Sequence, residues 1–258
     1  MGHIICIASQ KGGVGKTTTA INLSAAFAAA EKDCLLVDCD PQGHATSGMG
    51  IDKAGLTATL YHAMIGKVTV KEIIVDSELE SLKTLPARME LFRAEAELAS
   101  KPHKEKIMWN LLTDLKETYD YIIIDSPPAI SLLTMNAIIA ADLLLIPLQC
   151  EFYALEGMGD LLKTFQVIKR RFNPEIKIAG ILLTMFEPGE KISSQIAEAT
   201  RDHFKNLVFK TVIPRSVHLR ESSSHGKPLL LKNIMSIGAQ SYLKVAREFM
   251  DRWSMDRG

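Results

Sequence analysis

A glycine-rich segment between two apolar runs is the feature that most constrains this chain. Residues 4–8 are apolar, residues 10–16 carry three glycines, and residues 17–30 are alanine-rich with helical spacing. A buried strand that turns through glycines into a helix is typical of folds in which helices cover a parallel sheet. The segment ends in Gly15-Lys16-Thr17, as the P-loop pattern does, but Gln10 stands where that pattern has its first glycine. The sequence therefore predicts a strand, a variant P-loop and a helix.

The residue types of this loop suit a phosphate ligand. Glycines let the backbone turn its N–H groups toward phosphate oxygens, and the start of the helix adds positive partial charge. We expect Lys16 to reach the β- and γ-phosphates of ATP and the Thr17 hydroxyl to hold Mg²⁺. The alternative is a glycine turn without a ligand. The expected nucleotide contacts in the loop are Lys11, Gly12, Gly13, Val14, Gly15, Lys16, Thr17 and Thr18.

Apolar runs and helical stretches alternate through the rest of the chain. Further buried strands are predicted at residues 34–37, 121–124, 143–147 and 178–183. Helices are predicted at residues 89–100, 104–118, 131–140, 154–172, 191–205 and 237–252. The pattern indicates an α/β fold, a doubly wound mostly parallel sheet flanked by helices, in a single domain spanning residues 1–258. Apart from the helix at 89–100, residues 52–102 give no regular pattern.

Acidic residues follow two of these strands. Asp38 and Asp40 come after the second strand, and Asp125 ends the apolar run 121–124. Because ligands bind at the carboxyl ends of strands in such sheets, we expect these groups to converge with the loop on one crevice. Asp125 is then a Walker B carboxylate that contacts Mg²⁺ directly or through water.

Composition restricts the class of protein. The chain has 30 Lys plus Arg and 30 Asp plus Glu, so it is not generally basic, although a local basic patch stays possible. Because it has no targeting segment and no run of about 20 apolar residues, we expect a cytoplasmic protein. The four cysteines form no C-x-x-C pair, which favours small apolar side chains over a disulfide or a metal site.

A second lysine in the loop, Lys11, resembles the characteristic lysine of the deviant Walker A ATPases, which include ParA, MinD and the nitrogenase iron protein. The resemblance implies that Lys11 crosses a dimer interface and touches the partner's nucleotide, where it supplies positive charge as an arginine finger does. It also implies that Asp40 orients the attacking water. For Asp38 it implies a place in the metal shell or a role in fixing the loop.

Four further segments, residues 42–48, 149–157, 211–215 and 224–228, resemble the ParA/Soj partition ATPases. This resemblance implies a slow Mg²⁺-dependent ATPase that dimerises with ATP, binds nonspecific double-stranded DNA near the nucleoid and is stimulated by a ParB-like partner. It implies that Met185 and Pro214 flank the adenine, with Ser216 where the family usually has asparagine.

The expected DNA face departs from the family pattern. Gly189 and His218 stand where the family commonly has arginines, although the chain from Glu187 onward has 12 Lys and Arg against 8 Asp and Glu. Scattered solvated charges are the alternative to a DNA face. The candidate DNA contacts are Lys191, Arg215, Arg220, Lys227, Lys232, Lys244 and Arg247.

Three rival functions use the same loop. A ParA-like positioning ATPase with a non-DNA cargo fits the missing arginines. A MinD-like membrane-positioning ATPase needs an amphipathic C-terminal helix, and residues 242–253 do form an apolar stripe, but such a stripe usually packs against a core. An iron–sulfur ATPase needs cysteines spaced to hold a cluster, which this chain lacks.

Overall fold

The computed structural model describes residues 1–151 and 156–253, without the side chains of residues 156, 157, 220, 223 and 224. Strands β1 to β7 are His3–Ile7, Cys34–Asp38, Val75–Asp76, Leu82–Leu85, Tyr121–Asp125, Leu143–Gln149 and Lys177–Thr184. Helices α1 to α11 are Lys16–Ala29, His44–Gly48, Leu60–Met64, Phe92–Leu98, Ile107–Leu112, Leu132–Ala140, Glu156–Arg171, Lys191–Phe204, Val217–Ser224, Leu229–Lys232 and Ile237–Arg252.

The strands form one sheet in the order β3-β4-β2-β5-β1-β6-β7. β3 runs antiparallel to β4, and every other neighbouring pair is parallel. The central strand β1 lies between β5 and β6, so the chain winds to one side of β1 and later to the other. This topology confirms the predicted doubly wound, mostly parallel sheet. It also creates a crevice at the carboxyl end of β1, where ligands bind in such folds.

The apolar side chains of each strand divide between two hydrophobic clusters. Ile4 and Cys6 of β1 belong to one cluster, whereas Ile5 and Ile7 belong to the other. Helices α5, α6 and α7 cover the first face of the sheet, and α1 and α11 cover the second. Burial on both faces explains why the strands are continuous apolar runs instead of alternating patterns.

Helix α11 packs its apolar stripe into the second cluster. Tyr242, Val245 and Phe249 are buried there, and the Tyr242 hydroxyl lies 3.1 Å from the Thr19 hydroxyl of α1. The core-packing interpretation of this stripe is therefore confirmed. Among the described residues, no helix has both the length and the apolar character needed to cross a membrane.

The cysteines behave as small buried side chains. Cys6, Cys34, Cys39 and Cys150 are all buried and free. Burial raises the pKa of the Cys34 thiol to about 12 and that of the Cys150 thiol to about 11, so these two stay neutral. The prediction that the cysteines serve packing is confirmed.

Residues 52–102, which show no regular sequence pattern, contribute the two edge strands beyond β2. β4 pairs with β2 in parallel, and the two-residue β3 completes the edge. The helix predicted at 89–100 is present as a 3-10 turn, Met89–Leu91, followed by α4. The helix predicted at 104–118 was too long: α5 occupies only its middle, and 3-10 turns flank it at Lys104–Lys106 and Thr113–Glu117.

Candidate nucleotide site

The P-loop is shaped by two glycines in the left-handed region. Gly13 has φ 74° and Gly15 has φ 91°, and Gly15 precedes the first residue of α1. A side chain at either position would strain the backbone because L residues rarely adopt these angles. The Thr184 hydroxyl at the end of β7 donates to the Val14 carbonyl at 2.9 Å, which anchors the loop to the sheet.

Lys16 begins α1 and points into the loop. Its Nζ donates to the Lys11 carbonyl at 3.3 Å, and the residue is only 7% exposed. Burial lowers the pKa of Lys16, while the nearby Asp125 and Asp40 carboxylates oppose that shift. An ammonium with three donors and little contact with water favours an anionic ligand such as a phosphate.

Asp125 ends β5 and is the least satisfied polar group of the site. It is 1% exposed, and neither carboxylate oxygen has a hydrogen-bond partner in the described part of the chain. Burial, and secondarily the Asp38 charge, raise its pKa well above the usual range; the Thr17 hydroxyl is close enough to lower it without forming a full hydrogen bond. A buried carboxylate beside a hydroxyl is a donor set that fits Mg²⁺.

Asp38, at the end of β2, is fully engaged by neighbouring groups. Its Oδ2 accepts bonds from the Thr46 backbone N–H and hydroxyl, both at 2.7 Å, and its Oδ1 accepts from the Asp40 N–H at 3.2 Å. Of the two roles implied for Asp38, these contacts favour fixing the loop over binding the metal. Asp40 is partly exposed in the cleft, where its Oδ1 accepts from the Gln42 N–H at 2.9 Å.

The Asp38 carboxyl makes the free energy of unfolding depend on pH. Burial raises its pKa from 3.8 to about 6, so the folded chain holds the proton more tightly than the unfolded chain does. Its contribution to stability is therefore complete below about 4 and is lost as the pH rises to about 6. We expect Asp38→Asn to flatten the pH dependence of urea unfolding in this window. An unchanged pH slope in the variant would contradict the assignment.

An apolar pocket continues from the phosphate cleft. Gly12, Gly13, Lys16, Thr17 and Asp40 line the cleft, which shares Gly15, Thr18 and Met185 with the pocket. The pocket is completed by Thr184, Ile213, Pro214, Arg215, Ser216, Leu219 and Tyr242. Met185 and Pro214, which the resemblance places beside the adenine, therefore line one pocket together with Ser216. Met185 has φ 52°, an unusual angle for a residue with a side chain, at the junction of the two spaces.

Four residues that shape this site were not predicted from the sequence. Thr184 anchors the P-loop and Thr46 binds Asp38. Met89 and Phe92 line the cleft although they are 60% and 67% exposed. Thr46 lies in the family-like segment 42–48 and Thr184 directly precedes Met185, so the family resemblance could have indicated both. No sequence pattern indicates that Met89 or Phe92 lines the cleft.

Lys11 directly precedes the cleft-lining Gly12 and is partly buried. Its Nζ is 3.7 Å from the Glu151 carboxylate, and its side chain is 34% exposed. Glu151 also accepts a bond from Arg215 at 3.2 Å. Residues 152–155 of the family-like segment 149–157 lie outside the described residues.

The candidate DNA contacts do not form one uniform group. Arg215 is paired with Glu151 and Glu187, and Lys227 lies 2.7 Å from Glu78. Lys232 lies 3.3 Å from the His225 ring. Lys191, Lys244 and Arg247 are exposed, and the side chain of Arg220 lies outside the described residues.

The fold and the site define a P-loop nucleotide-binding protein. A family model described as an AAA domain matches residues 2–178. The chromosome partitioning protein ParA of Myxococcus xanthus is 49% identical over 252 residues, which cover 98% of this chain and 89% of that protein. The sporulation initiation inhibitor protein Soj of Bacillus subtilis is 46% identical over 248 residues, which cover 96% of this chain and 98% of that protein.

Solved structures agree with these relatives. Cobyrinic acid a,c-diamide synthase from Mycobacterium smegmatis, with bound ADP and magnesium, matches with a TM-score of 0.87 and 31% identity over 100% of this chain and 97% of that chain. The septum site-determining protein MinD of Pyrococcus horikoshii, complexed with Mg-ADP, matches with a TM-score of 0.80 and 26% identity over 96% of each chain. The chain belongs to the ParA/Soj family of partition ATPases, which confirms the resemblance.

Proposed function

We propose that this chain is a Mg²⁺-dependent ATPase switch that forms an ATP-sandwich homodimer and binds nonspecific double-stranded DNA. In this proposal residues 1–258 act as one domain, and a ParB-like partner stimulates a slow intrinsic turnover. Cycles of hydrolysis then partition chromosome or plasmid DNA in the cytoplasm, with the protein bound to the nucleoid in its ATP state.

One observation carries the ATPase part of the proposal. An apolar pocket at Met185 and Pro214 adjoins the cleft that Lys16 and Thr17 line, since the two spaces share Gly15, Thr18 and Met185. The buried Asp125 carboxylate, which has no hydrogen-bond partner among the described residues, lies near Lys16 and Thr17 behind the cleft wall. Such a space suits a ligand with a flat apolar end and a charged end that carries a divalent cation. ATP with Mg²⁺ has this form, and relatives of this fold bind ADP with magnesium.

The residues of the cleft divide the work of hydrolysis. Thr17 and Asp125 would hold Mg²⁺, and a cation there would neutralise negative charge on the phosphate oxygens. Lys16 binds the β- and γ-phosphates, and the loop N–H groups complete the cradle. Asp38 keeps Asp40 in place through the Asp40 N–H at 3.2 Å.

Asp40 is the group proposed to orient the attacking water. It lines the cleft and is partly exposed, so water can reach its carboxylate. We expect Asp40→Ala to bind ATP within about twofold of wild type but to lose most hydrolysis, on the order of 100-fold, because water is no longer positioned. Phosphate release under single-turnover conditions measures this. Undiminished release would remove Asp40 from the mechanism.

Lys11 is proposed to act across the dimer. Its Nζ lies 3.7 Å from the Glu151 carboxylate, and this partly exposed ion pair contributes little to stability, so Lys11 can exchange Glu151 for a partner's phosphate. We expect Lys11→Ala to retain nucleotide binding and to lose ATP-dependent dimerisation, because the charge supplied in trans is gone. Analytical ultracentrifugation with a non-hydrolysable ATP analogue tests this. A variant that dimerises as wild type does would rule out the role in trans.

DNA binding is tested by gel retardation of a duplex with ATP, with ADP and without nucleotide, at low and moderate salt. Retardation that needs ATP and weakens with salt supports the proposal, because phosphate contacts release counterions. The exposed Lys191, Lys244 and Arg247 are the first residues to replace, with the ion-paired Lys227 as a matched lysine of smaller expected effect. If all of these variants still retard the duplex as wild type does, Lys191, Lys244 and Arg247 do not form the DNA-binding face.

A ParA-like positioning ATPase with a non-DNA cargo is the second candidate. Gly189 and His218 replace the arginines expected in the family, and Arg215 and Lys227 are already paired with carboxylates. Absence of retardation in every nucleotide state, with ATP-dependent dimerisation intact, would favour this candidate over DNA partition.

A further inference from the structure

Lys53 joins two segments that line the phosphate cleft. Its Nζ donates to the Gln42 carbonyl at 2.9 Å and approaches the Gly43 carbonyl at 3.4 Å. Its own carbonyl accepts from the Arg88 guanidinium at 3.2 Å. Since the Gln42 N–H also donates to Asp40, one lysine connects the loop that carries Asp40 with the chain at Arg88.

The Arg88 end of this connection is firmly held. The guanidinium donates to the Leu56 carbonyl at 2.9 Å and to both oxygens of Glu90, at 2.8 and 3.0 Å. Glu90 also accepts from the Thr59 hydroxyl at 2.9 Å. Although burial raises the pKa of Glu90, Arg88 and Thr59 bring it below its usual value, so the carboxylate stays ionised and the network stays intact.

The two segments also meet without free space between them. Gly43 has φ 63°, and a Cβ there would lie 2.6 Å from the Ala87 carbonyl and 3.0 Å from the Lys53 Cδ. The Ala87 N–H donates at 2.9 Å to the Thr46 hydroxyl, the same group that binds Asp38. Backbone contacts this close transmit a displacement of one segment to the other.

The Arg88 segment carries two large, exposed apolar side chains that line the cleft. Met89 and Phe92 are 60% and 67% exposed and line the same space as Lys16 and Asp40. A change in the position of the Asp40 loop would therefore alter an apolar rim on the open side of the cleft.

We propose that Lys53 is a positioning residue that makes residues 40–43 and residues 88–92 move as one body, so that nucleotide-dependent movement of the Asp40 loop displaces Met89 and Phe92. The inference rests on the proposed ATPase function. It assigns to Lys53 an effect on turnover that exceeds its effect on ATP binding, because the lysine contacts the loop backbone and not the phosphates.

The test combines kinetics with a reporter on the rim. Phe92→Trp places an indole at the cleft, and the emission of Trp109 and Trp253 is subtracted with the wild-type protein. We expect this reporter to differ between ADP and a non-hydrolysable ATP analogue, and the difference to disappear when Lys53→Met is added. In Lys53→Met alone, affinity for a fluorescent ATP analogue should stay within about twofold while kcat falls about tenfold.

Two controls separate positioning from a general loss of structure. Lys53→Arg retains a donor and should restore most of the lost turnover, whereas Lys71→Met removes an exposed lysine of the same region and should change nothing. Wild-type kcat in Lys53→Met, a reporter that ignores the nucleotide, or an equal reporter signal with and without Lys53 would overturn the inference. Failure of the wild-type protein to bind ATP would instead overturn the proposed function and this inference with it.

Discussion

Lys16→Ala is expected to weaken ATP binding by about 100-fold or more. Lys16 is the first residue of α1 and is 7% exposed. Alanine at this position removes the buried cation that would face the negative charge of the phosphates. Loss of a charge-assisted contact of this kind costs about 1.5–3 kcal/mol, and the desolvated site adds to it. Isothermal titration of ATP with Mg²⁺ measures the change.

Lys67→Ala is the matched control, since Lys67 is an exposed lysine outside the cleft. Its ATP affinity should equal that of wild type. The thermal unfolding of the two variants without nucleotide should also be compared, because the Lys16 amine donates to the Lys11 carbonyl and its loss can loosen the loop. An Lys16→Ala protein that binds ATP normally would contradict the site.

Asp125→Asn is expected to stabilise the nucleotide-free protein and to abolish its response to Mg²⁺. The carboxylate is 1% exposed with no hydrogen-bond partner in the described structure, so a neutral amide avoids the cost of a buried charge. We expect the free energy of unfolding at pH 7 to rise by about 1–3 kcal/mol. Mg²⁺-dependent hydrolysis should fall at least about 100-fold because a metal ligand is lost.

The two effects are measured in one series of urea unfolding experiments with and without Mg²⁺ and ATP. Ligand binding stabilises the wild-type protein by an amount set by its concentration relative to Kd, about 2.7 kcal/mol at 100 times Kd. Asp125→Asn should lack the part of this gain that depends on Mg²⁺. Asp114→Asn, a change at an exposed carboxylate, should leave both quantities unaltered. A destabilised Asp125→Asn protein that keeps its Mg²⁺ response would overturn the assignment.

Much of the fold followed from local patterns. Buried strands such as β1 and β5 are continuous apolar runs, and α11 begins and ends at the predicted residues 237 and 252. These elements are long or strongly patterned, so intrinsic propensity and the pattern of burial favour the same secondary structure. The short β4 was missed because its four residues, with Lys83 among them, are stabilised as a strand only by pairing with β2.

The candidate site was predicted to a similar extent. The P-loop residues and Asp125 follow from spacing and from the rule that parallel strands end at one edge, and the structure brings them together with Asp40. Met185 and Pro214 were expected only because of the family resemblance; they are far apart in sequence and line one pocket. Sequence patterns could not assign the role of Asp38, because that depends on which groups its oxygens accept from.

The sequence by itself determined the alternation of strands and helices, the phosphate-binding loop and the family, because each rests on residue types at short, fixed spacings. Tertiary structure alone decided which carboxylate accepts hydrogen bonds: Asp125 accepts none from the described residues, whereas Asp38 accepts from the Thr46 hydroxyl. It also decided that Lys53 touches both Gln42 and Arg88. These contacts join residues 8 to 35 positions apart, and only the packing of the folded chain fixes such distances.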